Sequence, residues 1–297
     1  MMLKRLLENP ISLKELQRIM RDYRAFILIT AYLSFISLAI GFTYYYETQA
    51  YYYATYNIPM RSELGKTLFY TIILIELVLI NFIAPGLTSG AITSERERKT
   101  FELIKTTLIT PYDLIIGKFI PAIVYILLLI FTTLPIQMIV SSIGGITVSQ
   151  VIVATIILII TGAFFCALGI FLSSGFKKTT ASTITAYSTI IFPVVLFAFF
   201  YFFINNGPPD SLNDPKYEVY WLYGLWALVS TNPFTTALVT QLMLDEMQSL
   251  FIIYTPPLSG TIGYTFISPW ILYSILYVIM TSLLLLASTR LVAKVEA

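Results

Sequence analysis

Two groups of residues stand out for the chemistry they could do. Glu76 is an ionisable acid set in a long apolar run, with Asn81 and Gln137 as the other polar side chains in similar surroundings. A charged string follows it: Ser94-Glu95-Arg96-Glu97-Arg98-Lys99-Thr100-Phe101-Glu102-Leu103-Ile104-Lys105-Thr106-Thr107. Neither group is a catalytic constellation. The chain has no histidine, which removes imidazole acid/base work, histidine metal ligation and Ser-His or Cys-His pairs. Its single cysteine, Cys166, lies in an apolar run and can form neither an intrachain disulfide nor a Cys-rich metal site. With no compact set of nucleophile, base and metal ligand to be written, an enzyme is the weakest reading.

The elements that must carry these residues are membrane helices. Of the 297 residues 57% are hydrophobic and 11% charged, and the mean hydropathy is +0.81. A soluble domain carries about 25% charged residues. Six apolar stretches, residues 25–45, 67–92, 114–140, 151–172, 184–204 and 270–292, are long enough to cross a bilayer core, which takes roughly 20 helical residues. Residues 1–24 hold six basic residues and no apolar core, so no cleavable signal peptide is expected.

If the first span enters from the cytoplasm, 15 of the 18 basic residues lie inside, leaving Arg61, Lys66 and Lys216 outside. That asymmetry is the one the positive-inside rule expects, and it puts both termini in the cytoplasm. The fold class is therefore an all-α integral membrane protein. Residues 1–24 form a cytoplasmic N-terminal segment, and residues 25–297 a six-span domain whose external part covers about residues 205–268. Within that part, patches 220–229 and 234–244 are too short to span and are separated by the turn signal Ser230-Thr231-Asn232-Pro233. They are expected as external or re-entrant helices at the outer leaflet, anchored by Trp221 and Trp226. Helices that merely cover the bundle and helices with a part in substrate release both fit this pattern. Tyr44, Tyr45, Tyr46, Tyr51, Tyr52 and Tyr53 read as an outer interface belt.

Two cytoplasmic helices are expected. Ser12 and Glu15 have the spacing of a capping box, flanked by Ile11 and Leu16 as a hydrophobic staple. Leu13, Leu16, Ile19, Met20 and Tyr23 then fall on one face, as in an amphipathic helix lying in the interface plane. In the charged string, Ser94 and Glu97 have capping-box spacing, and Glu95/Lys99 and Arg98/Glu102 are oppositely charged pairs at i,i+4. One helix is expected over about residues 94–107. Thr110-Pro111-Tyr112-Asp113 starts the third span, with Thr110 as N-cap. Phe101, Leu103 and Ile104 stand as apolar knobs among charges, as on a docking surface; a solvated charged loop is the alternative.

These residues give the chain a resemblance to the permeases of type-2 ATP-binding-cassette transporters. It rests on Pro85, on Glu95-Arg96-Glu97-Arg98-Lys99-Thr100-Phe101-Glu102-Leu103, and on Pro111 and Gly117-Lys118. Leu108 departs from it, since relatives often have proline there. The resemblance implies that residues 95–106 are a coupling helix received by a separate ATPase subunit. The contact residues it implies are Glu95, Arg98, Thr100, Phe101, Glu102, Leu103 and Lys105, flanked by Arg18. Lys177 and Lys178 would make a smaller contact from the second cytoplasmic loop. No phosphate loop of the form GxxxxGK[ST] occurs, so ATP and Mg belong to the partner ATPase and no cofactor is expected on this chain.

An ionised acid at the bilayer centre costs about 2.5–3.5 kcal/mol on insertion scales, so Glu76 is expected to be protonated, paired or facing a cavity. It is either a functional acid or a neutral carboxyl bonded to a neighbouring helix. Gly86 and Gly90 form a GxxxG pair for close helix packing. The leading function is the path-forming membrane subunit of an ATP-driven exporter in the cell inner (plasma) membrane. Its expected partners are ATPase subunits, a second or related permease copy and membrane lipid, with no nucleic acid. The rival is a non-transporting membrane scaffold or sensor that recruits a cytoplasmic partner.

Overall fold

The structure, a computed structural model, describes residues 10–21, 23–53, 60–101, 110–206, 215–247, 249–255 and 264–296. In chain order the elements are α1 (Pro10–Arg21), α2 (Tyr23–Tyr53), α3 (Met60–Thr88), α4 (Thr93–Glu97), α5 (Pro111–Ile143), α6 (Val148–Gly175), α7 (Thr179–Asn206), α8 (Pro215–Thr231), α9 (Pro233–Met247), β1 (Ile252–Thr255), β2 (Tyr264–Ile267) and α10 (Pro269–Glu296). Among the described residues, six helices are long and apolar enough to cross a membrane: α2, α3, α5, α6, α7 and α10. The molecule is an all-α integral membrane protein with one small antiparallel hairpin, in which Ile252 faces Ile267 and Thr255 faces Tyr264.

The interior is built from α2, α3, α5 and α6, with Ile36, Phe69, Ile72, Leu129 and Ile157 fully buried in one cluster. Between helices already in lipid there is little hydrophobic drive to associate, so close packing of small residues matters more. A Cβ added at Gly169 on α6 would fall 2.0 Å from the Thr88 hydroxyl of α3. One added at Gly65 would fall 2.2 Å from the Gly144 carbonyl oxygen, so α3 and the end of α5 meet backbone to backbone. Gly86 and Gly90 face α7, where a Cβ would meet Tyr187 and Thr179. Outward faces stay apolar, as on α7, where Ile191 and Val195 are exposed.

One end of the bundle gathers α1, α4 and the α6–α7 turn and is called here the basic end. Two local expectations are corrected there. Ser12 lies inside α1 rather than capping it, because the helix already includes Pro10 and Ile11. Residues 94–107 do not form one helix: α4 ends at Glu97, and Lys99 adopts φ 59°. The Lys99 N–H bonds the Arg96 carbonyl at 3.1 Å, and the Thr100 N–H bonds the Glu95 carbonyl at 3.0 Å. This is a Schellman closure with lysine where glycine is usual. The opposite end holds β1, β2 and the open ends of α8 and α9.

Candidate functional site

Three sets of polar residues join the spans to one another. The first is α4. Its expected cap, Ser94, does not serve; instead the Ser173 hydroxyl on α6 accepts from the Ile92 and Thr93 N–H groups at 2.8 and 3.0 Å. The helix therefore begins one residue early, on a cap from another span. Arg96 then donates to the Phe176 and Ser174 carbonyls at 2.8 and 2.9 Å, tying α4 to the end of α6. Glu97 accepts from the Thr179 N–H and hydroxyl at 2.8 and 2.9 Å, holding the start of α7. Glu95 takes Lys118 of α5 at 3.3 Å and the Thr100 hydroxyl, rather than the expected Lys99. Lys118 also pairs with Glu15 of α1.

One short helix is thus bonded to α5, α6 and α7, and through Lys118 to α1. Thr110 caps α5 as expected, its hydroxyl accepting from the Asp113 N–H at 3.1 Å. Phe101 is placed differently from the outward knob read from its charged neighbours. Its side chain is 6% exposed and packs with Ile92, Leu114, Ile115, Ile170 and Val292, with the Arg96 guanidinium 5.2 Å from its ring. Burying the ring pins the chain that leaves α4. Arg18, Arg98, Lys177 and Lys178 are exposed. Glu102, Leu103 and Lys105 lie outside the described residues. A groove of about 540 Å³ runs between α1 and the ends of α3 and α5, with Arg18, Arg98 and Lys118 among its walls.

The second set lies at mid-span. Glu76 and Gln137 are both fully buried, and the Gln137 Nε2 donates to Glu76 Oε2 at 2.8 Å. The structure brings these two together but leaves Asn81 apart: buried on α3, it finds no partner among the described residues. Glu76 forms no ion pair among the described residues, so its contact with Gln137 is a bond between two spans, α3 and α5. Among the described residues its other carboxyl oxygen makes no hydrogen bond, and neither does the buried Tyr32 hydroxyl on α2.

The third set is the hairpin of α8 and α9. Asn232 joins the two helices and is buried; its Oδ1 accepts from the Phe234 N–H at 3.0 Å, and its Nδ2 donates to the Pro193 carbonyl at 2.7 Å. The Tyr277 hydroxyl donates to the Thr231 carbonyl at 3.0 Å. Tyr277 lies about 12 Å into α10 from its start, and Pro193 about 21 Å into α7 from the basic end, at 1.5 Å rise per residue. The tip therefore stands level with the middle of its neighbouring spans. The hairpin packs along its neighbours rather than across their ends. Lys66 clamps the open end to the start of α3 through Asp245 at 2.7 Å.

The reading of the sequence missed Arg96 and Glu97 as ties between loops, Lys118 as the hub, and Asn232 as the joint. Only Asn232 carried a local signal, as the polar residue before Pro233 between two apolar patches. Among the described residues no three His, Cys, Asp or Glu side chains converge as a metal site.

No curated protein matches the chain. The family model described as "ABC-2 family transporter protein" matches residues 9–287, which takes in every described helix but the end of α10. On that match and on its six apolar spans, the chain belongs to the ABC-2 transporter family and is a multi-pass permease component of an ABC transporter.

Proposed function

We propose that the chain forms the path of an ATP-driven exporter and that a separate ATPase subunit, carrying ATP and Mg, docks on the basic end. The observation that carries this reading is the set of ties on α4. Glu95, Arg96 and Glu97 each hold a different span, so a displacement of this five-residue helix moves α5, α6 and α7 together. A loop meant only to connect two spans has no need of such bracing. The exposed cations Arg18, Arg98, Lys177 and Lys178 offer a charged rim to an acidic partner surface. Phe101 acts from within, as the anchor that keeps the loop in register. In this reading the basic end and both termini are on the cytoplasmic side of the inner membrane, a reading supported by the 15-to-3 asymmetry of basic residues. The path is completed by a second or related permease copy.

The test is charge reversal at the rim, Arg98→Glu with Lys177→Glu. We expect the double variant to insert and fold normally, while association with the ATPase weakens and becomes less sensitive to salt. Unchanged association and unchanged ATP-driven transport would overturn the docking assignment. Cysteine at Lys177 should react with a membrane-impermeant reagent from the cytoplasm, and cysteine at Glu246 from outside. The reverse pattern would overturn the orientation.

A further inference from the structure

A cavity of about 300 Å³ lies between α6, α7, α10 and the α8–α9 joint. This is at the lower end of small-molecule pockets, roughly 300–1,000 Å³. Its wall is apolar: Phe164, Phe165, Leu168, Phe192 and Leu196. Thr189, Pro193, Thr231, Asn232 and Tyr277 complete it, and among the described residues no charged side chain lines it.

What these polar groups already do limits the occupant. The Thr189 hydroxyl donates to the Ala186 carbonyl at 2.6 Å, and the Thr231 hydroxyl to that of Leu228 at 2.9 Å. The Tyr277 proton goes to the Thr231 carbonyl, and both ends of the Asn232 amide are engaged, its Oδ1 with the Phe234 N–H of the hairpin and its Nδ2 with the Pro193 carbonyl of α7. A polar ligand would find few groups free to bond it, chiefly the second Asn232 amide hydrogen and the hydroxyl lone pairs, against a wall that is otherwise apolar, and would lose most of its hydration. An apolar one loses nothing.

The cavity's position limits the route. It sits at the middle of the spans, beside the outward face of α7, where Phe192 is 66% exposed and flanked by exposed Ile191 and Val195. An exposed apolar face of this kind suits lipid tails. We propose that this cavity binds one hydrocarbon chain entering sideways from the bilayer, wedged between the α8–α9 tip and α7. Such an occupant would contact Asn232 and Pro193, the two residues that fix the hairpin's depth, so occupancy and hairpin position are linked.

The test uses the full chain in phosphatidylcholine vesicles with a trace of phosphatidylcholine carrying a diazirine at the end of one acyl chain, and peptide mapping after photolysis. Adducts are expected at Phe165 and Tyr277, which are 1% and 7% exposed and out of reach of bulk lipid, as well as at lipid-facing Ile191 and Val195. Leu168→Trp, which fills the cavity, should abolish the inner adducts and leave the outer ones. If that variant does not fold, Thr189→Leu takes its place with the same expectation. Outer adducts alone in the unaltered protein, or inner adducts that survive filling in a folded variant, would overturn the proposal. An excess of dodecanol that removes the inner adducts would assign the site to a free lipophile, and adducts that persist would assign it to a bilayer lipid. In both cases the ligand is a hydrocarbon chain.

Discussion

At the basic end, α4 is held by ions: Glu95 on Lys118, Arg96 on two carbonyls, and Glu97 on Thr179. At the hairpin tip the same task of fixing a helix end against other spans falls to an amide, a phenol and backbone carbonyls. The solvent explains the contrast. Near water an ion keeps part of its hydration, and a charged bond that reaches several elements costs little to form. At mid-bilayer an ionised side chain is penalised, whereas a neutral donor that satisfies a carbonyl is rewarded because water offers no alternative. Ties of the first kind should yield to salt and to charge reversal, and ties of the second kind to neither.

The largest effect is expected where the basic end also depends on an apolar anchor. Phe101→Ala should cost about 3–5 kcal/mol locally, as for other buried Phe truncations. Faster hydrogen exchange through residues 93–101, with the α8–α9 hairpin unchanged, is the outcome expected. Equal loosening of both regions would break the comparison. Transport should fall in this variant because the loop loses the anchor that holds it in register.

Next comes the tip. Asn232→Ala removes the cap on α9 and the bond to Pro193, with an expected cost of about 1–3 kcal/mol for the groups left unpaired. Thermal unfolding in detergent or nanodiscs should shift down by the same amount at low and high salt. A salt-dependent shift would show that the tip is held by more than neutral bonds.

The smallest effect concerns the bridge from α1. Raising ionic strength from 0.1 to 1 M shortens the screening length from ~10 to ~3 Å, which should loosen α1 by less than about 1 kcal/mol. Exchange in residues 11–21 should quicken, and Lys118→Met should remove that salt response. An equal response at the hairpin would again erase the distinction.

The sequence by itself determined the solvent and the layout. Runs of apolar residues long enough to span, and basic residues crowded at one end, are properties of composition along the chain, and the six spans lie where those runs are. It also determined the Thr110 cap, because a cap is a contact between residues three apart. What it did not determine are contacts between residues far apart in the chain. Ser173 capping α4, Lys118 reaching both Glu15 and Glu95, and Gln137 meeting Glu76 while Asn81 is left aside depend on how helices are set side by side. The single helix expected over residues 94–107 failed for this reason. Propensity and i,i+4 pairing favoured its continuation, but bonds from α5, α6 and α7 were available to each acid and base in turn, and tertiary partners outweigh pairs worth about 0.2–0.5 kcal/mol. The seating of the hairpin was decided in the same way: two short apolar patches do not say which spans they meet, and only the bonds from Asn232 to Pro193 and from Tyr277 to Thr231 set the joint between α7 and α10.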